Sequence, residues 1–96
     1  MAATELIAVG TGAAVSADIV VIAGLPLTVC LKDADGTDVG SNCRVDIQLK
    51  ADDGQYYSIG ILAGFNGGNR AIVLSGPGTY RLSRPAGSDS CGAFSA

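Results

Sequence analysis

Between Arg44 and Ile61 the chain reads Arg-Val-Asp-Ile-Gln-Leu-Lys, then Ala-Asp-Asp-Gly, then Gln-Tyr-Tyr-Ser-Ile-Gly-Ile. Apolar and polar residues alternate on both sides of an acidic-glycine turn. A period of two belongs to a β-strand with one buried face, and a glycine after two aspartates supplies the backbone freedom of a tight reversal. The segment predicts a β-hairpin. Val45, Ile47 and Leu49 face a core, and Arg44, Asp46, Gln48 and Lys50 face solvent. On the return arm the same rule places Tyr57, Ile59 and Ile61 inward, with Tyr56, Ser58 and Gly60 opposite. A slip of one residue exchanges the two faces, so the pattern also sets the register.

The rest of the chain repeats this grammar. Thr4–Val9 is a short apolar segment closed by Gly10-Thr-Gly12, and Val15–Ala23 is rich in β-branched residues. Gly24-Leu-Pro26 interrupts it, because proline cannot donate to a central ladder. Leu27, Val29 and Leu31 alternate with Thr28, Cys30 and Lys32. Asp33-Ala-Asp-Gly36 is turn chemistry, and Val39–Cys43 reads as an edge segment or loop. Beyond the hairpin, Gly64–Asn69 is a loop. Arg70–Ser75 and Thr79–Arg84 are strands around the turn Gly76-Pro-Gly78, with Tyr80 and Leu82 inward and Arg81 outward.

No segment carries a helical spacing of apolar residues. About seven short strands with turns roughly every eight to twelve residues predict an all-β chain, an antiparallel β-sandwich or small barrel of jelly-roll or Ig-like type. The 96 residues make a single domain. We assign residues 1–84 to the β-sandwich and 85–96, rich in Pro, Gly and Ser, to a C-terminal tail with a possible docking role.

Composition narrows the chemistry. There is no histidine and no Trp. Without histidine the chain lacks the commonest general base and metal ligand. Serine and cysteine have no evident activator, and no Gly-x-Ser-x-Gly or phosphate-cradling loop occurs. We expect no enzyme, no catalytic residue, no cofactor and no metal. Asp33, Asp35 and Asp38 invite a calcium reading, but the helical calcium loop needs glycine sixth and glutamate twelfth. Here Gly36 is fourth and Arg44 twelfth, which predicts a solvated turn.

Cys30, Cys43 and Cys91 are odd in number and form no CxxC, so they read as reduced, small apolar residues. The six Lys and Arg residues form no run, and the net charge is −3. Neither a nucleic-acid nor a membrane partner is expected. The N-terminus has no basic segment of secretory type, which points to synthesis in the cytoplasm.

Hydrophobic residues make up 48% of the chain, yet aromatics only 5%. Small side chains build a thin core, so we expect self-association or docking on a larger body. Interface candidates are Tyr56, on the face opposite Tyr57, Phe65 in its loop, and Phe94 near the end, with Arg81 and Arg84 beside them. Aromatics bury much area at small entropic cost.

The run Ser75-Gly-Pro-Gly-Thr-Tyr-Arg-Leu-Ser-Arg-Pro85, followed by Ser90-Cys-Gly-Ala-Phe-Ser-Ala96, resembles the end of small tailed-bacteriophage virion proteins. The opening Met1–Gly12, the strand Val45–Lys50 and Tyr56–Gly60 fit the same picture. The resemblance implies a capsid decoration (cement) protein. It would bind the major capsid protein on the outer shell as a homotrimer or homodimer, located on the virion after synthesis in the host cytoplasm. The alternative is a glycan- or receptor-binding β-sandwich of a virion head or tail fibre, using Tyr56, Phe65 and Asp33, Asp35 and Asp38.

Overall fold

In the computed structural model, residues 4–33, 42–64, 69–87 and 89–95 are described. They contain nine strands and no helix: β1 (Thr4–Gly10), β2 (Ala14–Val15), β3 (Ile19–Val21), β4 (Leu27–Lys32), β5 (Arg44–Lys50), β6 (Tyr56–Ala63), β7 (Ala71–Leu74), β8 (Gly78–Arg84) and β9 (Cys91–Ser95). One sheet runs β1-β9-β4-β7. The other runs β2-β8-β5-β6, and β3 shares the β8 edge with β2. Every pairing is antiparallel. The two sheets pack face to face as a sandwich.

The inward residues of β4 and β5 are those the alternation predicts. Val29, Leu31, Val45 and Ile47 are buried, together with Ile7, Val21, Leu62, Leu74, Leu82 and Ala93. Tyr80 joins them, its hydroxyl donating to the Gly76 carbonyl at 2.7 Å, so its polar tip is satisfied inside the core. Cys43 and Cys91 lie in the same cluster, and all three cysteines are thiols. Gly54 takes a φ of 84° at the β5–β6 turn, the conformation for which glycine is suited.

Four expectations change. The single strand expected over Val15–Ala23 divides into β2 and β3, and Gly24, at a φ of 83°, folds Leu25 back on Ile22 with a 3.0 Å backbone bond. The return arm of the hairpin carries a bulge. Ile47 faces Gly60 and Gln48 faces Ser58, so Ile59 is the extra residue. Beyond it the phase inverts: Leu62 is buried opposite Val45, whereas Ile61 faces Asp46 on the outer side. Tyr57 keeps the inward side opposite Leu49, but at the rim of the sandwich, and stays 54% exposed.

The third correction concerns the C-terminal segment. Residues 91–95, read as tail, form the inner strand β9 between β1 and β4, with Cys91, Gly92, Ala93 and Ser95 buried. Small residues suit this place, because the β1 backbone lies against Gly92. A Cβ there would meet the Ile7 carbonyl oxygen at 2.4 Å. The fourth concerns Arg84, an interface candidate that is only 8% exposed.

Candidate interaction surface

Arg84 ends β8 in the same phase as Tyr80 and Leu82, so its side chain turns into the sandwich. Its Nη1 donates to the carbonyls of Ala8 (2.6 Å) and Cys91 (2.5 Å), and its Nε to that of Gly12 (2.7 Å). Ala8 and Cys91 belong to the other sheet. The guanidinium therefore ties the two sheets together along the margin formed by β1 and β2. Ser16 strengthens this margin, accepting from Leu82 N–H at 2.9 Å through its hydroxyl and donating its own N–H to the Leu82 carbonyl at 2.8 Å. Arg84 is thus a buried clasp between the two sheets.

Tyr56 and Arg81 do come together, on the outer face of the β2-β8-β5-β6 sheet. The Arg81 guanidinium carbon lies 3.7 Å from the Tyr56 ring centroid, and its Nε donates to Gln48 Oε1 at 2.6 Å. The Tyr56 hydroxyl donates to Asp18 Oδ1 at 2.5 Å, and Lys50 Nζ stands 4.0 Å from the other Asp18 oxygen. The hydrogen bond to Asp18, then burial and the negative charge of that carboxylate, push the Tyr56 phenol upward, against a smaller downward pull from Arg81. The result is a tyrosine laid across the sheet from β6 toward the residues before β3. One ring face is covered by a cation, and the hydroxyl is held by an anion.

The same sheet has an apolar margin. Val20 (68% exposed), Ile22 (59%) and Leu25 (66%) project from β3 and its turn, and Val15 (55%) from β2. Asp18, Val20 and Ile22 share one phase of the strand, whereas Ile19 and Val21 take the other and face Tyr80 and the core. A run of β-branched residues looks buried from composition alone. The signal that both faces are apolar was present in the sequence, but not which face is covered.

The opposite margin is open. Between β6 and β7 lies a cavity of about 240 Å³ lined by Ile47, Ile59, Gly60, Ile72, Val73, Leu74 and Tyr80 with Ser75 and Gly76. Ile59 and Val73 are more than half exposed at its mouth. Phe94 sits on the outer face of the other sheet, half-buried, between Glu5 on β1 and Cys30 on β4. An ion pair between Lys32 and Glu5 accompanies it on that face. Burial raises the Cys30 thiol above its ordinary range. Phe65, Asp35, Asp38 and residues 39–41 lie outside the described residues.

Among the described residues no cluster of three His, Cys, Asp or Glu residues is placed to hold a metal ion, and no helix is long and apolar enough to cross a membrane. No protein-family model, curated protein or solved structure matches the chain.

Proposed function

We propose that the chain is a structural virion protein, a capsid decoration (cement) protein of a tailed bacteriophage. It binds the outer surface of the major capsid protein and stabilises the shell through non-covalent contacts, without a cofactor. It works on the virion after synthesis in the host cytoplasm.

The observation that carries this reading is the apolar margin of β2 and β3. Val15, Val20, Ile22 and Leu25 are each more than half exposed along one edge. Exposed apolar side chains that cluster on a small protein mark a contact surface. Beside them the Tyr56–Arg81–Gln48 group supplies an aromatic and an arginine, the residue types that dominate binding hot spots. The sequence resemblance at both ends of the chain points the same way.

The glycan-binding alternative draws less support. A sugar stacks on a free aromatic face, and Arg81 already covers one face of Tyr56 while Asp18 holds its hydroxyl.

A ligand that binds only the assembled shell raises its stability by mass action. Purified protein added to shells that lack it is expected to raise their disruption temperature. The Val20→Asp, Leu25→Asp double variant, altered only at exposed positions, is expected to fold but not to bind. Absence of binding by the unaltered protein sinks the proposal.

A further inference from the structure

The four margins of the two sheets are not equally protected. An edge strand presents unpaired N–H and C=O groups, and proteins blunt such edges with charge, proline, bulges or short length. β1 carries Glu5 and two register irregularities. β2 and β3 are pieces of two and three residues. β6 has its bulge at Ile59. β7, Ala-Ile-Val-Leu, is four residues long but carries no charge, proline or bulge and runs in unbroken register with β4.

The ladder decides which of its groups are free. Leu31 donates to the Arg70 carbonyl at 2.8 Å, so Arg70 and Leu31 form a narrow pair. The antiparallel alternation then makes Ile72–Val29 and Leu74–Leu27 narrow pairs as well. The N–H and C=O groups of Ala71 and Val73 are left pointing to the open edge. Two such residues on either side of Ile72 form a self-complementary set. An identical strand laid antiparallel, with the two-fold axis at Ile72, brings Ala71 against Val73 of the copy and Val73 against Ala71. Each outward group of the pair then finds a partner.

We infer that β7 is a homodimer interface, where two copies join edge to edge into one continuous sheet centred on Ile72.

Two further observations fit a second copy as the occupant. In this register Arg70 falls opposite Leu74 of the copy, so like charges are not opposed, and the strand itself is uncharged. The dyad of an antiparallel strand pair stands perpendicular to the sheet, which sets the two sandwiches side by side with both β6 strands on the same side. The mouths of the two grooves then face each other. Ile72, which already lines the cavity, meets its counterpart across the axis, and Ile59 at the rim is drawn in. Finally, a stable interface needs roughly 600 to 1,000 Å² from each partner. A four-residue edge alone falls short of that, but β6 and the groove add the second sheet to the contact.

The test needs no capsid, so its failure is separable from failure of the decoration reading. Sedimentation velocity across a concentration series is expected to show a monomer–dimer equilibrium. Val73→Lys, at a position 57% exposed, is expected to leave circular dichroism unchanged and to weaken the dimer at least about tenfold. Val73→Thr, a milder change, is expected to fold and to weaken it less, and Val20→Asp on the far margin is expected to leave it intact. Hydrogen exchange read at Ala71 and Val73 is expected to slow as concentration rises. A chain monomeric at millimolar concentration overturns the inference, as do a trimer or a dimer indifferent to Val73→Lys. A monomer whose Ala71 and Val73 amides become protected only on adding shells also overturns it, and assigns β7 to a strand of the capsid instead.

Discussion

The two margins of this sandwich solve the same problem in opposite ways. Where β1 lies over β2, a buried arginine crosses from one sheet to three carbonyls around the other, beside a smaller cavity of about 160 Å³. Where β6 lies over β7, Arg70 reaches across one end to the Gly64 carbonyl at 3.1 Å, and beyond it a cavity of about 240 Å³ stays open between aliphatic walls. The chain has few aromatics with which to fill a gap. It ties one side with three hydrogen bonds from a single guanidinium and spans the other with one.

The sharpest way to break this contrast is to remove the clasp. Arg84→Met keeps much of the apolar stem but leaves the buried Cys91 carbonyl and the more accessible carbonyls of Ala8 and Gly12 without their donor. Hydrogen bonds to charged groups contribute about 1.5–3 kcal/mol each, partly offset by water reaching the opened site. We expect a net loss of about 3 kcal/mol, or a fall in Tm of roughly 12–24 °C for a domain of this size. Arg84→Lys is expected to recover only part, because an ammonium lacks the planar fork that reaches several carbonyls at once. Chemical denaturation of the three proteins checks both expectations. Equal stability of the methionine variant would mean that packing, not the guanidinium, closes this margin.

A matched pair of glycine substitutions sharpens the contrast further. On the closed side, a Cβ at Gly92 would stand 2.4 Å from the Ile7 carbonyl oxygen and 2.9 Å from Val9 N, both backbone atoms that cannot swing away. Gly92→Ala is expected to push β1 off β9 and to cost about 1–3 kcal/mol, the usual range for overpacking. On the open side, a Cβ at Gly60 would come no closer than 4.0 Å, to Ile47 Cδ1. Gly60→Ala is expected to gain about 0.5–1 kcal/mol, since the strand loses a flexible residue and the groove wall gains a methyl group. The same chemical change thus has opposite signs at the two margins. Thermal melts of both variants test this, and a shared sign would erase the distinction.

These particulars show what the sequence carried. The β5 phase, the Asp-Asp-Gly turn and the inward Tyr80 and Leu82 were legible because each is a local, period-two statement. Continuing that phase by two residues puts Arg84 on the core side. The positive charge argued for the surface, and the three carbonyls that accept it lie far along the chain or beyond a turn, where no local pattern points. The Ile59 bulge was hidden for a related reason. An inserted residue preserves alternation on either side of itself and changes only which face each arm presents. β9 was the hardest to see. Its small residues read as linker, whereas they are what an inner strand requires when the β1 backbone crosses Gly92. Of the candidate surface, Tyr56 and Arg81 were named from outward phase alone, but not that they touch. The acid that holds the Tyr56 hydroxyl, Asp18, precedes a strand on the far side of the sheet.

The Tyr56–Asp18 bond leads to the smallest effect. Tyr56 starts from β6 at the open margin and ends on Asp18 at the apolar one, so it is a bridge laid over the outer face between them. Its phenol is raised above the ordinary tyrosine range, chiefly by the bond to Asp18. A raised folded value means that the native state holds this proton more tightly than the unfolded chain does. Its contribution to stability is fully present below the ordinary tyrosine range and is lost as pH climbs through the raised value. At neutral pH the bridge is intact, so only alkaline solution reports on it. With Tyr57 and Tyr80 replaced by Phe, the ultraviolet absorbance of the phenolate follows Tyr56 alone. Asp18→Asn removes the carboxylate's hydrogen bond and its charge while leaving Arg81 over the ring, so the titration is expected to move to lower pH. Because the group lies at the surface, the accompanying change in Tm is expected to be below that of Gly60→Ala. A titration that does not move would mean the ring is held by Arg81 and the sheet beneath it. The two margins would then be linked through the core alone.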